Sequence, residues 1–205
     1  MTDLTVALSR LPVLDEAGRD LLFRQARTSN SFSPTPVSDE ELATIWELAK
    51  WPPTAANSQP LRVVYVRSDA GRDRLLPHIA EGNRAKTATA PVVAILAADR
   101  DFHEHVPTIF PIRPELRDYW AADPGRETSA RFNATLQIGY FLLAVRAVGL
   151  AAGPMGGFDP AGVDAEFFPD GRFTSLLVVN IGHPGVDPWF DRLPRLANDV
   201  AVTYA

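Results

Sequence analysis

A few short clusters hold the side chains able to do chemistry. In WPPTAANSQPLRVVYVR, from Trp51 to Arg67, the residues Thr54, Asn57, Ser58 and Gln59 set amides and hydroxyls in a row with almost no bulk. Such a row suits a planar, heteroatom-rich ring hydrogen-bonded along one edge, although Asn and Ser are also good turn formers. Arg27, Thr28 and Ser29 place a guanidinium beside two hydroxyls. That is either a grip for a phosphate or the solvated end of a helix. Asn83 and Lys86 lie three apart, so on one helical turn they share a face. They offer an amide and an ammonium to a polar ligand, or simply form a polar helix surface. Arg192 and Arg195 add cations near the other end of the chain.

Other patterns carry less. Gly153-Pro154-Met155-Gly156-Gly157-Phe158-Asp159 is rich in glycine but has neither of the usual phosphate-loop or dinucleotide-loop spacings. His103-Glu104-His105 lacks a third ligand at typical spacing, so no metal is expected. The chain has no cysteine, which excludes disulfides, thiolate metal sites and cysteine nucleophiles.

The elements that must position these residues are legible from periodicity. Asp15 to Arg27 reads as a helix with Leu14, Leu21, Leu22 and Phe23 on an apolar side, and residues 1–14 give no strong signal beyond a possible arm. Ser38 followed by Glu41 is a capping-box pattern opening a helix through Leu42, Ile45, Trp46 and Ala49, stopped by Pro52 and Pro53. Val63 to Val66 reads as a strand, Ala70 to Ala80 as a helix kinked near Pro77, and Pro91 to Leu96 as a second strand. Residues 98–126 look irregular, a solvated and partly mobile loop or a lid. Thr128 to Val148 is the longest helical signal, apolar almost all round and ended by Gly149 in a left-handed cap. Such a helix is either central to the core or shared with a second subunit, with Phe141 and Leu142 expected at that contact. Thr174 to Gly182 reads as a buried strand.

The chain's 205 residues are most economically one domain, 1–205, with room for a sizeable core. Hydrophobic content of 46% and charged content of 22% are ordinary for a folded protein. The net charge of −5 argues against nucleic acid as a partner. No apolar run is long enough for a membrane span and no signal peptide is evident, so a cytoplasmic location is expected.

PTAANSQPLRVV resembles the P-S-S-x-N-x-Q-P segment of the FMN-dependent nitroreductase family, with Thr54 and Ala55 replacing the serines and Asn57, Gln59 and Pro60 matching. The other clusters fall in that family's order. Arg27 and Ser29 match its R-x-S phosphate segment, which often has a further basic residue where this chain has Asn30 and Ser31. Asn83 and Lys86 match a flavin-contacting pair before a strand. Pro154, Gly157 and Phe158 fit a P-[IM]-x-G-F-[DS] segment whose backbone amide reaches flavin N5, and Arg192, with Arg195 beside it, matches a C-terminal basic element returning to the phosphate. Many members have glutamate at the position of Gly156.

The resemblance implies an α+β nitroreductase fold, a central mixed or antiparallel sheet flanked by helices, built into an intertwined homodimer with flavin at the subunit interface. It implies a flavin set of Arg27, Thr28, Ser29, Thr54, Ala55, Asn57, Gln59, Asn83, Lys86, Pro154, Met155, Gly156, Gly157, Arg192 and Arg195. FMN is the expected cofactor and NADH or NADPH the co-substrate, with no metal. The details KWPPTAANSQP, GPMGGFD and RLPRL look most like the malonic semialdehyde reductases of uracil degradation, which form 3-hydroxypropionate. Hydride would pass through flavin N5, so no residue is assigned a catalytic role, and Arg113 or Arg117 would meet the substrate carboxylate. A broad nitro- or quinone reductase and a flavin-binding protein without turnover are the alternatives.

Overall fold

The computed structural model describes residues 11–205, so residues 1–10 of the expected arm lie outside it. The chain builds one antiparallel sheet from β1 (Leu61–Val66), β2 (Val92–Asp99), β3 (Ala151–Met155) and β4 (Phe173–Gly182). The strand order is β1-β2-β4-β3, which leaves β1 and β3 at the edges. Around it lie α1 (Glu16–Arg19), α2 (Asp39–Ala49), α3 (Asp69–Leu75), α4 (Glu81–Thr89), α5 (Val106–Ile109), α6 (Leu116–Ala122), α7 (Arg126–Ala147), α8 (Pro160–Phe167) and α9 (Asn198–Ala201). Among the described residues no helix is long and apolar enough to cross a membrane.

Every residue of β2 is buried. Its sequence is a continuous apolar run because both faces of the sheet are covered. Ala94, Leu96 and Ala98 join a core with α2 and α7, including Leu61, Ile45 and Phe141. Val93, Ile95 and Ala97 face the opposite way, into a core with Leu75, Ile79, Val163 and Phe168. Each Val, Leu, Ile or Phe side chain so buried contributes about 1.5–3 kcal/mol.

Local signals set the helix ends. The Ser38 hydroxyl accepts from the Glu41 amide at 3.1 Å, and the Glu41 carboxylate accepts from the Ser38 amide at 2.7 Å. This reciprocal cap opens α2 and holds the Glu41 pKa below its ordinary value. Gly149 ends α7 with φ of +82°, a conformation that costs glycine little.

Two segments depart from the sequence reading. The first helix stops short of Arg27: α1 runs into a π-helical turn over Asp20–Arg24, after which the chain is extended. Its side chains Leu14, Leu21 and Phe23 are exposed rather than packed. Residues 98–126 are not the irregular loop expected. Phe102–His105 forms a 3-10 turn leading into α5, and α6 follows. Phe102 is fully buried and meets the Trp120 ring edge-on at 5.1 Å. Pro107, Pro111 and Pro114 interrupt the helical periodicity, which hid these packed turns.

A buried carboxylate fastens this region to the sheet. Asp99, fully buried at the end of β2, accepts from Arg62 of β1 at 2.6 Å and from Arg172 at 3.1 Å, and also from the Asp101 amide. Burial lowers the Arg62 pKa, whereas the Asp99 hydrogen bond raises that of Arg172. Asp99→Ala leaves Arg62 without a carboxylate and Arg172 with Glu104 alone, so a loss of about 3 kcal/mol is expected in denaturant unfolding. A loss below about 1 kcal/mol, the level of a surface pair, would show that the cluster does not fasten the fold.

Candidate functional site

Between α1 and α2 the chain runs extended beside β3. The Ser29 amide donates to the Ala152 carbonyl at 2.9 Å, and the Asn30 amide to the Pro188 carbonyl at 2.9 Å. Gly153 makes the first contact possible, because a Cβ there would sit 2.7 Å from the Ser29 carbonyl oxygen. Ser29 is fully buried and its hydroxyl donates to the Ser31 carbonyl, so it turns inward. Arg27, Thr28 and Asn30 instead line a recess of about 230 Å³, shared with Asp191, Arg192 and Arg195 from the far end of the chain.

The charge in this recess is unbalanced. Arg192 donates to the Ala26 carbonyl and Arg195 to the carbonyls of Leu193 and Pro194. Among the described residues, neither they nor Arg27 has a carboxylate within ion-pair distance. A cluster of cations with free hydroxyls and amides nearby is suited to a phosphate-sized anion.

A track of donors leads away from it. Lys86, on α4, donates to the Asn30 side-chain oxygen at 3.3 Å. One turn earlier Asn83 donates to the Gly157 carbonyl at 3.2 Å, and the Ala80 amide donates to the same oxygen at 3.0 Å. Gly157 is closed in, since a Cβ would lie 2.6 Å from the Asn83 amide nitrogen, whereas Gly156 is exposed with open space around it. Pro154 is half-buried, while Met155 turns its sulfur inward to accept from the Thr87 hydroxyl at 3.6 Å. The recess, the α4 face and the glycine turn therefore form one continuous surface.

The loop Thr54–Gln59 stands apart from that surface. Ala56, Asn57 and Gln59 all have positive φ, between 43° and 54°. Side chains of α7 and the loop itself enforce this strained path. The Ala55 amide donates to Asn133 at 2.8 Å and the Leu61 amide to Gln137 at 2.9 Å. The Thr54 hydroxyl accepts from the Gln59 backbone amide, the Gln59 side chain donates to the Asn57 side-chain oxygen, and the Asn57 side chain donates to the Ile109 carbonyl at 2.7 Å. Asn133 and Gln137 were not singled out from the sequence. Their signal was a pair of amides four apart inside an apolar helix.

The distance between the two halves can be read along α7. The loop is anchored at Asn133 and Gln137, whereas the recess lies by Arg146, whose guanidinium reaches the Arg27 carbonyl. At the rise of an α-helix this is a separation of about 14–20 Å. One chain thus brings together Arg27, Thr28, Asn83, Lys86, Gly157, Arg192 and Arg195, and leaves Thr54, Ala55, Asn57 and Gln59 at a distance.

Arg113 and Arg117 are exposed, paired with Glu115 and Asp118 respectively. Neither lines the recess, nor the larger cavity of about 470 Å³ beside the free edge of β1, where Trp46, Gln59, Tyr65 and Ile109 meet. In that cavity's wall burial pushes the Tyr65 phenol up to about 12. His103 is buried, and burial lowers its pKa. Among the described residues no three His, Asp or Glu side chains cluster as for a metal.

The model of the nitroreductase family matches residues 23–183, which spans the extended segment, the loop, the α4 face and the glycine turn. The chain belongs to the nitroreductase family. A Streptomyces coelicolor protein provisionally named NADH dehydrogenase/NAD(P)H nitroreductase is 59% identical over 199 residues, 97% of each chain. One of the same name from Leptothrix cholodnii is 49% identical over 189 residues, 92% of this chain and 96% of that one. Among solved structures, a nitroreductase from Exiguobacterium sibiricum in complex with FMN superposes with a TM-score of 0.83, at 20% identity, covering 95% of this chain and 99% of its own. A Staphylococcus epidermidis protein provisionally named NAD(P)H:FMN oxidoreductase gives 0.82 at 19% identity, covering 96% and 99%. The nitroreductase fold expected from the sequence is therefore the fold observed, with every strand pairing antiparallel.

The close approach at Gly153 gives a direct test of the geometry. Gly153→Ala should push the Ser29 segment off β3, lowering hydrogen-exchange protection of the Ser29 amide by about tenfold or more. Amides within β2 should keep theirs. Unchanged protection at Ser29 would mean that the segment is not held by this contact.

Proposed function

We propose that this chain is an FMN-dependent NAD(P)H oxidoreductase that works in the cytoplasm as a homodimer, each chain a single domain. Its proposed physiological reaction is reduction of malonic semialdehyde to 3-hydroxypropionate. The observation that carries the flavin reading is the recess itself, with Arg27, Arg192 and Arg195 unpaired by any described carboxylate and a donor track running to Gly157. These residues fit the dianionic phosphate and polar tail of FMN. The names of the relatives support NAD(P)H as reductant.

FMN, when bound, would supply the hydride-transfer chemistry between NAD(P)H and the substrate. The residues of this chain place and screen. Arg27, Arg192 and Arg195 would neutralise the phosphate, Lys86 and Asn83 would present donors along α4, and the close packing at Gly157 would hold the turn against that face. Open space at Gly156 leaves room for a small carboxylate without a neighbouring negative charge.

The homodimer is supported by what one chain leaves undone. The loop with Thr54, Asn57 and Gln59 is displaced from the recess, so a second copy is needed to bring such a loop to it. Phe132, Leu136 and Tyr140 form an exposed stripe at four-residue spacing along α7, and Val186, Phe190, Leu193, Val200 and Tyr204 are exposed along the C-terminal arm. Surface of this kind calls for a partner. Phe141, expected at the contact, is fully buried in the chain's own core and Leu142 is half-buried, so the subunit face lies one residue earlier on the helix. Leu136→Asp should yield monomers by sedimentation and weaken FMN retention by about tenfold. A flavin-loaded monomer in the unmutated protein would sink the dimer.

The relatives' names favour a second reading, a broad nitro- or quinone reductase. The substrate test separates the two. With equal flavin content, the enzyme should show a higher kcat/KM for the short aldehyde acid than for nitrofurans or neutral quinones. Gly156→Glu should lower kcat/KM for the acid by about tenfold and leave a quinone within about twofold, since charge repulsion in a partly closed site exceeds its value in water. A wild-type preference for nitrofurans selects the broad reductase. Failure of NAD(P)H to bleach the flavin would leave only a binding protein.

A further inference from the structure

Arg146 stands in the last turn of α7 and is half-buried. Its guanidinium donates to the Arg27 carbonyl, and among the described residues it has no carboxylate partner. Burial, then repulsion from Arg192, lowers its pKa. A cation in the last turn of a helix is ordinarily explained by the negative end of the helix dipole. Here the side chain turns away from the terminal carbonyls of α7 and across to another segment. It lines a second cavity of about 220 Å³ with Leu142, Leu143, Ala152 and Pro154, sharing Ala26, Arg27 and Thr28 with the phosphate-sized recess on their other side.

The neighbouring carbonyl is held in the same manner, since Arg192 donates to the Ala26 oxygen at 3.3 Å. Two guanidinium groups thus clamp two successive carbonyls. Among the described residues the Thr28 amide and hydroxyl have no protein partner, so these donors remain for a ligand on the recess side. A half-buried guanidinium close to a second one is unfavourable by itself. An anion bound nearby reverses the sign of that field.

We propose that Arg146 is a positioning residue for the phosphate of the flavin cofactor. It fixes the Ala26–Thr28 segment so that Arg27 and Thr28 face the recess, and it adds a positive charge behind them. The inference rests on the reading of the recess as the FMN phosphate site, and it assigns a role to a residue that touches no ligand itself.

The test compares FMN with riboflavin, which lacks the phosphate. Flavin-free wild type, Arg146→Lys and Arg146→Met are titrated with each flavin by fluorescence quenching, and sedimentation confirms an unchanged assembly. The wild type should bind FMN more tightly than riboflavin. Arg146→Met should cut that preference by about tenfold with riboflavin affinity within about twofold, and Arg146→Lys, which keeps the charge but loses the planar fork, should fall between. If Arg146→Met does not fold, Arg146→Lys alone decides: a reduced preference supports the role and an unchanged one overturns it. Equal weakening of both flavins, or no change in either, also overturns it and leaves the recess reading intact. A wild type that does not distinguish the two flavins overturns the recess reading instead.

Discussion

The arrangement depends on α7 carrying side chains that must be satisfied away from water. Asn133 and Gln137 are buried, and each accepts an amide from the chain that leads into β1. A buried amide oxygen without a donor is costly, so the loop is drawn to the helix at two fixed points. Its left-handed residues follow from that attachment. At the other end of the same helix, Arg146 holds the carbonyl of Arg27. One element therefore sets where both halves of the polar machinery stand, and it is packed in one core with the sheet.

Glycine does complementary work on the sheet side. At Gly153 the missing Cβ lets the Ser29 backbone pass against β3, and at Gly157 it lets Asn83 approach the turn. Gly156, between them, is open to solvent. The same short stretch thus holds positions where a side chain is forbidden by contact and a position where one would meet only open space.

Much of this was legible in the sequence. The capping box at Ser38, the buried run of β2 and the cap at Gly149 are local signals that tertiary structure had no reason to override. The clusters around Arg27, Asn83 and Arg192 could be placed in order but not in space: the meeting of Arg27 and Arg192 in one recess, with the Asn83 face linked to it through Lys86 and Asn30, needed the fold. Three features were hidden. The turns over residues 102–122 were broken up by proline, which disguised a packed segment as a loop. The inward turn of Ser29 depends on a neighbour two residues on, and spacing does not report side-chain direction. The role of α7 was masked because its apolar residues lie on two faces, one covered by the chain's own core and one bare, and periodicity cannot say which neighbour covers which.

In the proposed homodimer, the displacement of the loop from the recess has a genetic consequence. In a homodimer whose sites each draw on both chains, the two kinds of damage are separable by mixing. A chain altered only in its recess still offers a sound loop, and a chain altered only in its loop still offers a sound recess. Neither forms a complete site with its own kind. Paired with each other, they assemble one site from the two sound halves and one from the two damaged halves, so equal co-expression of two inactive alleles, which makes half of the dimers mixed, restores a quarter of the sites.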